Sequence, residues 1–313
     1  MNSKNTPGIK ITNLDSYEMY TLARMYEHGT MVERDLHKAA ELYILAAKNG
    51  SENAKKIFFF DFDEKENVNT NPKLVQIIKI AAELGYAEAQ FSLGGRYRAG
   101  LGMNKNYEEA FHWISKAAKQ GHVEARYYVG TMYRRGKGTD IDLTKADELT
   151  LKAAELGSAP AQHAIGKFLL GKSGKEAQVL KWIQRSADNG YCIAQYDLGM
   201  FHLEGKLCPA DSSVGLELLK QSGDNRYAPA AYKVAEIFEK GNYGVEKDMT
   251  EAIRWYKKAH KIGYAGADLR LAKIYQNGEG VERDLLKCIN YYKQADRLGW
   301  HYAKQMMMEI FAN

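Results

Sequence analysis

A residue that closes a helix recurs along this chain at nearly fixed intervals, and that recurrence limits the fold more than any other feature. The positions are Gly85, Gly121, Gly157, Gly190, Arg226, Gly263 and Gly299, spaced by 36, 36, 33, 36, 37 and 36 residues. A period of this size marks a helical solenoid, in which each unit touches only its neighbours. The unit is clearest between Gly85 and Gly121. Ala89, Leu93 and Tyr97 are spaced by four, which is one stripe of a helix. A bend follows at Gly100-Leu101-Gly102, and then Ala110, Trp113, Ile114, Ala117 and Ala118 fall on one wide apolar face. The closing Gly ends the second helix in the left-handed conformation that a Cβ penalises.

The other units follow this grammar with local departures. Repeat one runs from Leu14 to Gly50, with Leu22, Ala23 and Tyr26 on its first helix and Ala39, Leu42, Tyr43, Ala46 and Ala47 on its second. Repeat two, from Gly50 to Gly85, is degenerate: Phe59, Phe60 and Phe62 crowd the stripe of Ala54 and Phe58, and the acidic, Asn-rich stretch Asp61–Asn71 replaces the bend. Asn71-Pro72 reads as an N-cap and first-turn proline for the helix carrying Val75, Ile78, Ala81 and Ala82. A small residue recurs on each first helix (Gly94, Gly130, Gly166, Gly199, Ala235, Ala272), where it lets two helix backbones approach. The second-helix aromatic recurs as Trp113, Trp182, Trp255 and Tyr291. Arg226 lacks the freedom of glycine, so its junction is expected to bend differently. The link Gly171–Glu176 is short, and a single first-helix pattern from Tyr302 to Phe311 is expected to cap the array. Residues 1–13 are polar and expected to be a flexible lead, with 14–313 as one repeat domain.

Composition narrows the function classes. A net charge of +5 without any run of five or six Lys/Arg gives no footprint for nucleic acid. Cys192, Cys208 and Cys288 are few, odd in number and far apart, so a disulfide framework is not expected and a reducing compartment fits. Residues 1–13 lack the apolar core of a signal peptide, and the apolar run Ile57–Phe60 is too short for a membrane span. The expectation is a cytoplasmic protein without membrane insertion.

The repeated residues resemble the Sel-1-like repeat, a relative of the tetratricopeptide repeat. The pattern is fullest at Ala267, Leu271, Tyr275, Gly278, Gly280, Val281, Asp284, Tyr291, Ala295 and Gly299. It is nearly as full at Ala89–Gly121 and Ala125–Gly157 and covers about eight units. Repeat two, Arg226, Ala272 and Cys288 depart from it. The resemblance implies an all-α fold: a right-handed α/α superhelix of about eight helix-turn-helix units plus a C-terminal capping helix. It also implies a binding scaffold or adaptor. Family members serve in bacterial signalling, host-cell interaction and eukaryotic membrane-associated degradation complexes. One Cys-rich bacterial branch is linked to β-lactam binding or hydrolysis, and its cysteine pairs are missing here.

No enzyme constellation emerges. The string Gly166-Lys-Phe-Leu-Leu-Gly171-Lys172-Ser173 satisfies the phosphate-loop pattern. That loop needs a preceding strand and a helix opening at the Lys, whereas Gly166 lies within a predicted helix. The eight histidines show no metal-ligand spacing. No catalytic, cofactor or metal residue is assigned.

Superposing the repeats gives a candidate surface. Phe91, Tyr127, His163, Tyr196 and Tyr232 stand six residues after successive closing residues, with Tyr20 at the same place in repeat one. In tetratricopeptide-like solenoids this position faces the concave groove, where a ladder of rings grips an extended peptide. The alternative is that the rings pack between neighbouring first helices. Nearby charges run from Arg98, Arg134, Arg135 and Lys167 to Glu204, Glu236 and Glu239, a trend that would orient a partner carrying an acidic segment. The expected function is a non-enzymatic bacterial scaffold: a signalling adaptor, an immunity-type inhibitor or an effector delivered to a host. A hydrolase of β-lactams or cell-wall fragments is the alternative.

Overall fold

The computed structural model describes residues 14–60 and 70–312, apart from the side chains of 309–312. The expected lead at 1–13 and most of the acidic stretch Asp61–Asn71 lie outside the described residues. Every regular element described is helical, and no strand occurs among the described residues. Spatial proximity divides the chain into two compact units, Met1–Ser158 and Ala159–Asn313.

The first unit holds α1 (Ser16–His28), α2 (Leu36–Lys48), α3 (Glu52–Phe58), α4 (Pro72–Glu83), α5 (Ala87–Ala99), α6 (Tyr107–Lys119), α7 (Val123–Arg135) and α8 (Leu143–Glu155). Consecutive helices form hairpins, α1 with α2, α5 with α6 and α7 with α8, and each later first helix packs on the second helix before it. Repeat two breaks this order: α3 has only seven residues, and α4 lies against α2. The phenylalanines that crowd it have separate fates. Phe58 and Phe60 are buried, whereas Phe59 is exposed. Phe60 occupies a gap left by Gly95 of α5, where an added Cβ would meet its ring at 2.4 Å.

The second unit holds α9 (Ala159–Leu169), α10 (Glu176–Asp188), α11 (Cys192–Glu204), α12 (Ser212–Asp224), α13 (Ala228–Lys240), α14 (Met249–Ile262), α15 (Ala265–Asn277), α16 (Leu285–Arg297) and α17 (Tyr302–Ala312). The hairpins are α9/α10, α11/α12, α13/α14 and α15/α16, and α17 packs on α16 as the expected cap.

Three devices make the hairpin recur. The closing glycines take φ between 81° and 101° at Gly50, Gly85, Gly121, Gly157, Gly190, Gly263 and Gly299. The next residue then donates its N–H back into the last helical turn, as Tyr86 does to Ala81 O and His122 to Ala117 O. Arg226 corrects the expectation for its junction: it takes φ 64° itself, and Tyr227 donates to Ser222 O like its counterparts. Second, Asp35, Asn106, Asp142, Asp211, Asp248 and Asp284 cap the second helices by accepting from first-turn N–H groups. Asn71 caps α4 in the same way ahead of Pro72, as its sequence indicates. Each such cap contributes about 1 kcal/mol. The short link gives α10 the N-cap Lys175, which makes no side-chain cap bond.

The third device is the small residue on the first helix. A Cβ on Gly94 would stand 2.5 Å from Ile114 Cγ1 and 3.0 Å from Ala110 O. Gly166 has the same relation to Ile183, and Gly199 to Gly215 O and Leu219. Where alanine replaces glycine, at Ala23, Ala235 and Ala272, the facing position holds Tyr43, Tyr256 and Tyr292 instead of Ile, Thr or Leu. All six of these Ala and Tyr side chains are buried.

Candidate partner-binding surface

The ladder position is a contact between successive repeats. In the second unit the His163 ring lies 5.4 Å from Tyr191, Tyr196 lies 5.5 Å from Tyr227, and Tyr232 lies 5.0 Å from Tyr264. Tyr191, Tyr227 and Tyr264 each directly follow a closing residue, so each first-helix ring leans on the ring that opens the next repeat. The first two pairs are edge-to-face and the third tilted, and aromatic pairs add about 0.5–1.5 kcal/mol beyond the area they bury. His163, Tyr196 and Tyr232 are half-buried, with part of each ring still reaching solvent. Burial raises the hydroxyl pKa of both Tyr196 and Tyr232, and neighbouring carboxylates add to the rise.

The first unit treats the same position differently. Phe91 is 7% exposed, covered by His122 at 4.4 Å and Tyr128 at 5.8 Å, so it offers no contact surface. Tyr127 is half-buried beside Tyr128 at 5.2 Å, and the Arg98 guanidinium sits 5.4 Å over the Tyr128 ring. Tyr128 therefore gathers Phe91, Tyr127 and Arg98. Its signal in the sequence was the doubled tyrosine at 127–128. Arg134 is exposed and pairs with Asp147 of α8, and Arg135 is exposed.

The charge trend along the first helices is largely neutralised where it stands. Lys167 and His163 both meet Asp197 Oδ2, at 3.0 and 2.9 Å. Burial alone would raise the Asp197 carboxyl, but these two bonds outweigh it and hold the pKa low. Glu236 lies between Lys233 at 3.5 Å and Lys240 at 3.1 Å. Glu239 is gripped by Arg270 and by the Tyr256 hydroxyl. At Arg134, Lys167, Glu236 and Glu239 the trend read along the sequence is thus a set of local ion pairs. The sequence also hid Arg96, which takes a place on α5 held by Met132 on α7 and Phe201 on α11. It is 2% exposed, and burial pulls its pKa down to about 10.

The phosphate-loop string has none of the context such a loop needs. Gly166 lies inside α9 against Ile183, Gly171 forms the turn, and Lys172 stacks 3.4 Å from the Phe168 ring centre. Among the described residues no group of three His, Cys, Asp or Glu is placed to hold a metal ion, and no helix is long and apolar enough to cross a membrane.

A Sel1 repeat model matches residues 19–51, 87–122, 123–158, 192–227, 228–263 and 265–300, well over half of the chain. The chain belongs to the Sel1 repeat family. The two units of this Sel1 chain left unmatched are repeat two, with its seven-residue α3, and repeat five, with its short link and uncapped α10. A chitin synthase regulatory factor of Schizosaccharomyces pombe is 29% identical over 86% of the chain, and the match spans only 30% of that relative. Among solved structures, a protective antigen of uropathogenic Escherichia coli with an SLR fold is 26% identical, over 95% of this chain and 64% of its own, with a TM-score of 0.53. A Sel1 repeat protein of Oxalobacter formigenes is 24% identical, over 72% of this chain and 94% of its own, with a TM-score of 0.62. The relatives include a fungal regulator as well as bacterial proteins, so the family does not single out a bacterial role.

Proposed function

We propose that this Sel1 chain is an interaction scaffold that regulates a partner protein by binding one of its segments along the first-helix face of the second unit. The observation that carries the reading is the pair of half-buried rings Tyr196 and Tyr232, each fixed by an aromatic from the next repeat, with the more enclosed His163 ring held the same way one repeat earlier. Rings held in this way present apolar area at little further entropic loss, which is what peptide-binding hot spots require. A regulatory role follows the name of the fungal relative, and a sequence with only three cysteines, odd in number and far apart, fits a reducing, cytoplasmic setting. With Asp197, Glu236 and Glu239 already paired, specificity rests on the rings and on the shape of the hairpins. The test is affinity capture from lysate with the full chain, followed by Tyr196→Ala with Tyr232→Ala. The partner is expected to be lost while the thermal melt still shows a folded protein. A folded double variant that keeps its partner would overturn the assignment of this face.

A further inference from the structure

A second surface lies on the second helices of repeats six and seven. We infer that the cleft between α12 and α14 binds an acidic peptide segment, with Lys257 and Lys261 as its principal contacts. The cleft encloses about 620 Å³. From α14 it is lined by Arg254, Lys257, Lys258 and Lys261, which recur at i, i+3, i+4 and i+7 and so share one helix face. Lys220 faces them from α12, together with the carboxylates Glu217 and Asp224. Of the five cations, Lys258 is engaged by Asp224 and Arg254 by Glu251, which leaves Lys220, Lys257 and Lys261 against Glu217 and keeps the cleft positive. Burial lowers the pKa of the Lys258 ammonium, because removing water penalises its charged form.

This concentration is specific to one helix. At the four places corresponding to Arg254, Lys257, Lys258 and Lys261, every other second helix carries at most two Lys or Arg. Helix α6 has His112, Ser115, Lys116 and Lys119, and α16 has Asn290, Lys293, Gln294 and Arg297. Repeat architecture does not require the charges, since the other hairpins form without them.

One aromatic side chain completes the lining. This is Trp255, which is 4% exposed and has a buried Nε1–H without a hydrogen-bond partner. Lys258 stands 4.6 Å and Arg254 5.6 Å from the ring. The volume is in the range of clefts that take several side chains at once. Carboxylates spaced along an extended segment match the line of ammonium groups on α14. This surface is separate from the ladder of the first helices, so it can operate whether or not that ladder binds a partner.

The test uses the full chain and a fluorescein-labelled peptide of alternating Glu and Ala, followed by fluorescence anisotropy. A Gln-Ala peptide, a single-stranded uridine oligonucleotide and phosphatidylserine vesicles serve as comparators. The Glu-Ala peptide is expected to bind best and to weaken with added salt. Lys257→Glu with Lys261→Glu is expected to weaken it at least about tenfold, the scale of one lost charged contact. Both side chains are exposed, so the melt is expected to stay put. Lys257→Gln with Lys261→Gln, which adds no repulsion, is expected to act in the same direction. Tyr196→Ala with Tyr232→Ala is expected to leave this binding unchanged, which separates its outcome from that of the ladder. Equal binding of the Gln-Ala peptide, or full binding by either lysine variant, would overturn the inference. Tighter binding of the oligonucleotide or the vesicles would overturn the assignment to an acidic peptide.

Discussion

Repeat three and repeat eight build the same hairpin from two different pairs of side chains. In repeat three the first helix presents Gly94 and the second presents Ile114, and the helix backbones come close enough that no Cβ fits between them. In repeat eight the same places hold Ala272 and Tyr292, both fully buried. The hydroxyl of Tyr292 reaches Gln276 at 3.3 Å. Repeats one and seven use the tyrosine form too, with Tyr43 donating to Glu27 and Tyr256 to Glu239. The glycine form gains close packing and, where Ile or Leu faces the glycine, needs no polar partner. The tyrosine form accepts an extra methyl and fixes the end of the first helix through a hydrogen bond. Along this chain, alanine on the first helix goes with tyrosine on the second, and glycine with Ile, Thr or Leu.

The strongest way to break this comparison is Gly94→Ala. In an exposed helix interior the change would stabilise by about 1 kcal/mol. Here the new Cβ would meet Ile114 Cγ1 at 2.5 Å and two backbone atoms at 3.0 Å. Backbone cannot rotate away, so α5 and α6 must separate. Overpacking of this kind costs about 1–3 kcal/mol, and a net loss of about 2 kcal/mol is expected as a lower urea midpoint. An unchanged or higher midpoint would show that the hairpin is loose.

The tyrosine form is probed by Tyr256→Phe, which deletes only the hydroxyl. Burial alone would raise the pKa of Glu239, yet its bonds with Arg270 and Tyr256 hold it below the usual range. Removing one donor to a charged acceptor that keeps its arginine costs about 1.5 kcal/mol. The pH dependence has a definite sign. A carboxyl with a lowered folded-state pKa stabilises the fold above its ordinary value of about 4.3 and loses that contribution as pH falls through the folded value. Tyr256→Phe should therefore lose stability at neutral pH and converge on the wild type in acid. A deficit that stays constant from neutral pH into acid would mean that the hydroxyl acts through packing.

How much of this was legible in the sequence depends on the range of the contact. Helix stripes, left-handed closures and N-caps are local, and period and residue type sufficed to place a closure at Gly85 and a cap at Asn71. Contacts between repeats were only half legible. The ladder position stood out by its spacing, but whether Phe91 is buried and Tyr232 partly exposed depends on which ring opens the following repeat. The charge trend misled because linear order cannot show that Glu236 lies between two lysines or that Arg270 reaches Glu239. Arg226 misled for a simpler reason: a non-glycine residue can take the left-handed conformation when the bond from Tyr227 to Ser222 O holds the junction. The packing of Phe60 into the space over Gly95 had a visible signal, a second glycine beside Gly94, but nothing in the sequence tied the two together.

The smallest expected effect is also the most discriminating. Ala272→Gly restores the residue that the family pattern carries at this place. If glycine were intrinsically preferred there, the change would stabilise. The pairing with Tyr292 implies the opposite: Ala272 is fully buried, and Gly would remove a packed methyl and add backbone freedom to the unfolded chain. The expected loss is about 1 kcal/mol, read as a lower urea midpoint. The decisive measurement is the double change with Tyr292→Ile, which converts repeat eight to the glycine form of repeat three. Two substitutions at unrelated sites would add. Substitutions at one shared contact should couple, leaving the double variant more stable than the sum of its singles by about 0.5 kcal/mol or more. Strict additivity would mean that the correlation between small residue and facing side chain across the repeats is incidental, and that each helix tolerates its residue independently.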